Sequence, residues 1–172
     1  MAKTSFTVHE LCDIHCTKGK GGRSIEKENI KTFWEDNSTV AQQVGCYVFA
    51  IRAGRGMRPW YVGQATASFK QEVFAPDKLN KYDQCLRKIG KGSPIMFFVS
   101  YPTKQGATNR KHIDELETFL IQTAHVINKD LRNVHGKKEP MWSITGVTRS
   151  GKGKPSNSAV TFRNLFKFKT AK

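Results

Sequence analysis

The chain has 172 residues, 38% of them hydrophobic, which is enough for one domain with a buried core and more than disordered chains contain. Lysine and arginine number 29 against 14 acidic residues, so the formal net charge is +15. A field of this sign attracts polyanions, and nucleic acid is the usual polyanionic partner. A basic protein that binds an acidic protein is the weaker alternative, and it predicts no nucleic-acid binding at physiological salt.

Neither a secretory signal nor a membrane span is predicted. The first residues lack a basic region followed by an apolar run, and no later segment approaches the ~20 apolar residues of a span. We therefore expect no membrane partner and a cytoplasmic protein, in which the four cysteines are reduced. Cys12, His15 and Cys16 are closely spaced, but zinc sites draw on two separated ligand pairs, so free thiols are favoured over a zinc site.

Residues 1–40 are predicted to form an N-terminal extension that contains one helix. A basic, glycine-rich loop over residues 18–23 comes first. Apolar residues that include Phe33 and Trp34 then recur at helical spacing up to residue 37. Ser24 is the expected cap of this helix.

Residues 44–63 predict a β-hairpin. The stretch GCYVFAIRAGRGMRPWYVGQA contains two apolar runs on either side of a basic, glycine-rich turn. In the first run Tyr47 and Phe49 alternate with Val48 and Ala50. Both faces of this strand are therefore expected to be buried in part.

Three further elements are predicted after the hairpin. A helical pattern covers residues 69–89, with an interruption at Pro76 and an end at Gly90. Residues 93–102 predict a buried strand, and residues 110–128 predict the most regular helix of the chain. Its expected core-facing stripe is Ile113, Leu116, Leu120, Ile121, Ala124 and Ile127. This order of elements indicates an α+β fold, with a small, mainly antiparallel central sheet flanked by helices.

Residues 136–172 are predicted to form a basic C-terminal extension. Positions 137–172 hold nine lysine and arginine residues against one acid, a net charge of +8. The pattern favours two strands, or a strand and a short helix, around a basic loop. Lys152 and Lys154 in that loop are expected to contact the phosphate backbone of a nucleic acid.

One glutamate within the 110–128 helix is a candidate for chemistry. Glu117 follows Leu116 and precedes the apolar run 119–121, so it lies at the edge of the predicted buried stripe. A carboxylate in that position is costly unless it is paired, protonated or bound to a cation. Periodicity alone favours the simpler alternative, a boundary glutamate whose stem reaches solvent.

The order of several short motifs resembles the GIY-YIG nuclease family. GCY at 45–47 and YVG at 61–63 resemble the two motifs that name the family, and LETFLI at 116–121 resembles its glutamate-containing helix. The resemblance covers about residues 44–134 and implies a catalytic core over 41–135. On this mapping the family's glutamate is Glu117. Its later asparagine is Asn133, with Asn128 as the second choice.

The resemblance implies a metal-dependent endonuclease that hydrolyses phosphodiester bonds in nucleic acid, with DNA as the expected substrate. Tyr47 or Tyr61 would activate or position the attacking water, and Glu117 would hold one Mg²⁺ or Mn²⁺. Asn133 would brace the glutamate or the phosphate by hydrogen bonds.

The family's arginine is not matched in this chain. Its register holds Gln71, so Lys70, or else Lys78, is expected to supply the positive charge, although lysine lacks the bidentate fork of arginine. The expected nucleic-acid contacts in the core are Arg52, Arg55, Arg58 and Lys78. If the missing arginine marks lost chemistry, the alternative function is a non-catalytic nucleic-acid-binding module on the same scaffold.

Overall fold

The computed structural model describes residues 4–102, 108–136, 144, 145, 147 and 153–165. The chain divides into two compact units, Met1–Lys137 and Lys138–Lys172. The strands of the first unit are β1 (Thr7–Val8), β2 (Cys12–Asp13), β3 (Thr17–Gly19), β4 (Gly22–Ser24), β5 (Gly45–Ala53), β6 (Gly56–Ala65) and β7 (Ser93–Ser100). Its helices are α1 (Lys27–Asp36), α2 (Ser38–Ala41), α3 (Phe69–Glu72), α4 (Pro76–Ile89) and α5 (Arg110–Ile127).

One antiparallel sheet organises the first unit. Its strand order is β1–β7–β5–β6, and β2 also pairs with β7. Every pairing in it is antiparallel, and β3 and β4 form a separate two-stranded ribbon. The predicted α+β class, with a mainly antiparallel sheet and several helices, is confirmed, as are the hairpin (β5 and β6) and the buried strand (β7).

Helices pack on both faces of the sheet. On one face Tyr82 of α4 stacks on Phe49 of β5, with ring centroids 4.2 Å apart. On the other face Ile121 and Ala124 of α5 pack with Val62 of β6 in a smaller core cluster. Since β6 is an edge strand, its outer edge is where groups from the two helical layers can meet.

The first forty residues contain strands as well as the expected helix. β1 and β2 extend the main sheet by pairing with β7. Helix α1 begins after Glu26, whose backbone N–H donates to Asn29 Oδ1 at 2.8 Å in a capping box. The prediction that Ser24 caps this helix is therefore wrong, because Ser24 belongs to β4.

Helix α5 confirms the predicted helix and changes one end of its buried stripe. Ile113, Ile121 and Ala124 are buried, whereas Ile127 is 58% exposed. Asn128, four residues after Ala124, is fully buried and takes the position toward β6 that was expected for Ile127. Among the described helices none is long and apolar enough to cross a bilayer.

The second unit is described in part and contains helix α6 (Asn157–Leu165). The Ser156 hydroxyl accepts a hydrogen bond from the Ala159 backbone N–H at 3.2 Å, as an N-cap residue does. Lys154 lies just before this helix and is exposed. Lys152, the other predicted contact in this segment, lies outside the described residues.

Candidate active site

A cleft of about 440 Å³ opens at the outer edge of β6. Its lining includes three predicted site residues, Tyr61, Glu117 and Asn133, together with Lys81 of α4. The other lining residues are Thr118, Ile121, Val134, His135 and Gly136. The fold therefore brings a phenol, a carboxylate and an ammonium group from three separate elements to one cleft.

Glu117 is a half-buried carboxylate in this cleft. It lies four residues from Ile113 and four from Ile121, on the buried side of α5, whereas Glu115 is exposed. Burial raises the pKa of Glu117, the charge of Asp114 raises it further, and the charge of Lys78 lowers it. None of the described residues forms a hydrogen bond or an ion pair with this carboxylate, so within that part of the chain no direct partner compensates its negative charge.

Tyr61 forms a second wall of the cleft. Its side chain is 8% exposed, and burial, followed by the charges of Glu117 and Asp77, raises its pKa to about 12. The Lys81 ammonium lies 4.8 Å from the centre of the Tyr61 ring, which is a cation–π contact. At neutral pH the phenol is protonated and can donate a hydrogen bond into the cleft.

Tyr47, the other motif tyrosine, lies behind Tyr61 and does not line the cleft. It is fully buried, its ring centroid is 6.3 Å from that of Tyr61, and burial raises its pKa strongly. Its cross-strand partner is Gly63, and a Cβ atom at that glycine would collide with the Tyr47 ring and hydroxyl. The glycine of YVG thus makes room for the tyrosine of GCY.

Asn133 binds the edge of β6 through its side-chain amide. Its Oδ1 accepts from the Val62 N–H at 2.9 Å, and its Nδ2 donates to the Val62 carbonyl at 2.7 Å. Asn128, the second choice for the family's asparagine, donates to the Pro59 carbonyl at 2.7 Å. Both asparagines therefore satisfy backbone groups of an edge strand that would otherwise be left unpaired.

A β-bulge in β6 directs two aromatic side chains toward α4. The register between β5 and β6 shifts beside Tyr61, which leaves Trp60 as the extra residue. The ammonium groups of Lys81 and Lys88 lie 4.8 Å and 5.8 Å from the centres of the Tyr61 and Trp60 rings, respectively. Pro59 is compatible with the strand here because the bulge is at a sheet edge.

The cation at the cleft differs from the one expected from the sequence. Lys70 is exposed on α3, and neither it nor Lys78 is part of the cleft lining. Lys78 forms an ion pair with Asp77 at 3.0 Å, and its charge lowers the pKa of Glu117. Lys81 is the lysine in the lining, and the sequence analysis missed it. Its signal was the spacing of three residues from Lys78, which places both lysines on one face of a helix.

The hairpin arginines lie away from this cleft. The Arg52 guanidinium pairs with Asp13 at 2.6 Å, and Arg55 is exposed in the turn. Arg58 is also exposed, and its guanidinium carbon is 5.7 Å from the centre of the Trp60 ring. These residues extend the positive surface beyond the cleft.

The donor set around Glu117 suits one kind of metal site. Within the described part of the chain, no group of three or more histidine, cysteine, aspartate or glutamate side chains could enclose a metal ion. Mg²⁺ instead takes one or two carboxylates and completes its shell with water and phosphate oxygens. The half-buried carboxylate of Glu117, which has no ion-pair partner among the described residues, fits that mode of binding.

Neither the models of known protein families, nor the curated proteins, nor the solved structures give a match to this chain. The likeness to the GIY-YIG family therefore remains one of short motifs.

Proposed function

We propose that this protein is a metal-dependent endonuclease that hydrolyses phosphodiester bonds in nucleic acid; the family resemblance favours DNA. The observation that supports the proposal most is the meeting of Tyr61, Lys81 and Glu117 in one cleft, on a chain with a net charge of +15. Phosphodiester hydrolysis needs charge relief on the phosphate, a positioned water and stabilisation of the leaving oxygen. These three side chains offer the groups for that chemistry.

Glu117 is the residue that would hold Mg²⁺ or Mn²⁺. A bound divalent ion would supply charge relief at the scissile phosphate and at the leaving oxygen. Burial disfavours the charged form of this carboxylate, so a nearby cation is the partner that would make the charged form favourable. The proposal therefore accounts for a half-buried glutamate in a cleft.

Lys81 takes the place of the unmatched arginine in this proposal. Its contact with the Tyr61 ring holds the ammonium at the cleft, where it can neutralise one phosphate oxygen as a point charge. Tyr61, protonated at neutral pH, would donate a hydrogen bond that positions the water or a phosphate oxygen. To activate the water as a base it would need a lower pKa, and a cation on Glu117 would offset the second-largest cause of the rise.

Tyr47 and Asn133 would act indirectly, by holding the strand that carries Tyr61. Tyr47 packs across Gly63 and behind Tyr61, so it fixes the end of β6. Asn133 holds Val62, the residue next to Tyr61, through two hydrogen bonds. We assign both as positioning residues.

The test is cleavage of plasmid DNA and of labelled RNA by the full chain with Mg²⁺, with Mn²⁺ and with a chelator. Glu117→Gln should lower the cleavage rate at least ~100-fold, because metal-assisted charge stabilisation contributes several kcal/mol. Glu115→Gln, an exposed position on the same helix, is the matched control and should cut like wild type. Nucleic-acid binding in chelator should be unchanged in both variants.

Each outcome separates the candidate functions. Undiminished cleavage by Glu117→Gln would remove the assignment of this cleft. Wild-type protein that binds but does not cut with either metal would support the non-catalytic binding module. No binding at physiological salt would favour an acidic protein partner.

A further inference from the structure

A second cleft, of about 470 Å³, lies at the turn end of the hairpin. Its lining is Arg52, Ala53, Gly54, Lys91, Gly92 and Ser93, and it shares no residue with the Glu117 cleft. Two lining residues are cationic and none is acidic. The chemistry proposed above makes no use of this site.

Positive charge surrounds this second cleft. The Arg52 side chain is held by an ion pair with Asp13. It is still 37% exposed, so a ligand can reach it. Behind the loop, Arg23 Nη2 donates to the Gly92 carbonyl at 2.6 Å. Arg23 Nη1 is buried and has no hydrogen-bond partner among the described residues. Arg52 and Lys91 thus line the cleft, Arg23 lies behind its loop, and Asp13 is the one acidic partner, paired with Arg52.

Two glycines shape the backbone of the cleft. Gly54 and Gly92 have φ of +58° and +83°, the left-handed region that favours glycine. A Cβ at Gly92 would lie 2.7 Å from the Arg52 carbonyl oxygen, so this loop packs directly on β5. At Gly54 the same position is open space. The open backbone at Gly54, beside the two cationic lining residues, suits an anion that approaches the backbone closely.

We infer that this second cleft binds a phosphate of the nucleic-acid backbone other than the one at the bond that is cut beside Glu117. The inference rests on the proposed function for the identity of the polymer. Phe49, the cross-strand partner of Tyr61, precedes Ala53 by four residues, which is about 13 Å along β5.

The test is the salt dependence of duplex DNA binding in chelator, where no cutting occurs. Lys91→Gln should reduce the slope of log affinity against log salt by about 1, because one phosphate contact is lost. Lys31→Gln removes the same charge from an exposed position of α1 outside both clefts and should leave the slope unchanged. Lys91→Arg should keep the wild-type slope, and Arg52→Gln should lower it as Lys91→Gln does.

A second measurement identifies the source of the phosphate. Inorganic phosphate, titrated into the labelled protein, should shift the amide resonances of Gly54 and Gly92 in wild type and less in Lys91→Gln. Equal slopes for Lys91→Gln and Lys31→Gln would overturn the inference, as would phosphate binding without any change in the DNA slope. Binding is scored without cleavage, so wild-type protein that binds DNA but never cuts it would refute the endonuclease alone.

Discussion

The two strands of the hairpin carry related tripeptides, but the fold gives them different surroundings. β5 lies inside the sheet, between β6 and β7, and its Tyr47 is fully buried. β6 lies at the edge, and its Tyr61 forms part of a cleft wall. The outer edge of β6 forms hydrogen bonds with the side chain of Asn133, whereas the corresponding edge of β5 pairs with β7.

This difference separates a supporting tyrosine from one that can contact a ligand. Position in the sheet accounts for it, because β5 has a hydrogen-bonded strand on each side, whereas one edge of β6 faces the cleft. The glycines differ in the same way: a Cβ at Gly45 would meet the backbone of β7, whereas one at Gly63 would meet the side chain of Tyr47. The interior tripeptide is thus constrained by backbone and the edge tripeptide by a side chain.

The largest expected effect is on stability, from the two glycines. Gly45→Ala should lower the free energy of unfolding by about 3 kcal/mol. The added Cβ would overlap the backbone at the end of β7, and alanine is also strained at the φ of +145° that Gly45 adopts. Gly63→Ala should cost about 1–3 kcal/mol, because a side chain can yield more than backbone. Denaturant unfolding measures both values.

The control for these variants is Gly56→Ala, where the added Cβ would be 3.9 Å from its nearest neighbour. It should change stability by less than about 0.5 kcal/mol. A double-mutant cycle then tests the cause of the Gly63 effect: its cost should shrink in a Tyr47→Ala background. An unchanged cost there would show that Tyr47 is not the obstacle.

Local patterns predicted the elements that carry these strands, and nonlocal contacts account for what the sequence did not reveal. The hairpin, β7 and α5 follow from periodicity and turn residues. β1 and β2 have two residues each, too few for a period, and they are strands because β7 offers them an edge. They were therefore not predicted.

The candidate site divides in the same way. Glu117 was singled out because it lies at the edge of an apolar stripe and matches the glutamate of the family motif. The role of Lys81 depends on which side of α4 faces the edge of β6, and the pairing of Asn133 with Val62 joins residues 71 apart. The spacing from Lys78 indicates the helix face of Lys81 but not what that face contacts, and nothing local pairs Asn133 with Val62. A sequence pattern therefore identifies residue types more readily than their contacts.

The next effect is on activity and compares the two tyrosines directly. Tyr61→Phe should lower the cleavage rate constant about 10- to 100-fold, because it removes a hydrogen-bond donor at the cleft. Tyr47→Phe keeps the buried ring and should change the rate less than about threefold. Single-turnover cleavage with Mg²⁺, at saturating protein, measures both. A larger loss for Tyr47→Phe than for Tyr61→Phe would reverse the roles assigned to the two strands.

The smallest expected effect is the pH dependence that Glu117 gives to the stability of the metal-free protein. Burial raises its pKa above the ordinary value of 4.5, so the folded state binds this proton more tightly than the unfolded state. The stability that protonation gives is fully present below pH 4.5 and is lost as the pH rises through the raised pKa. Glu117→Gln carries no charge, so in chelator it should be slightly more stable than wild type at pH 7, and the difference should vanish below pH 4.5.

The same pair of proteins separates an unpaired carboxylate from a metal ligand at the edge of β6. Mg²⁺ should raise the melting temperature of wild type at pH 7 and leave that of Glu117→Gln unchanged, because a ligand that binds only the folded state stabilises it. Glu115→Gln should respond to Mg²⁺ as wild type does. If the magnesium shift persists in Glu117→Gln, the ion binds elsewhere. Glu117 would then not be the metal ligand proposed for the cleft of Tyr61 and Lys81.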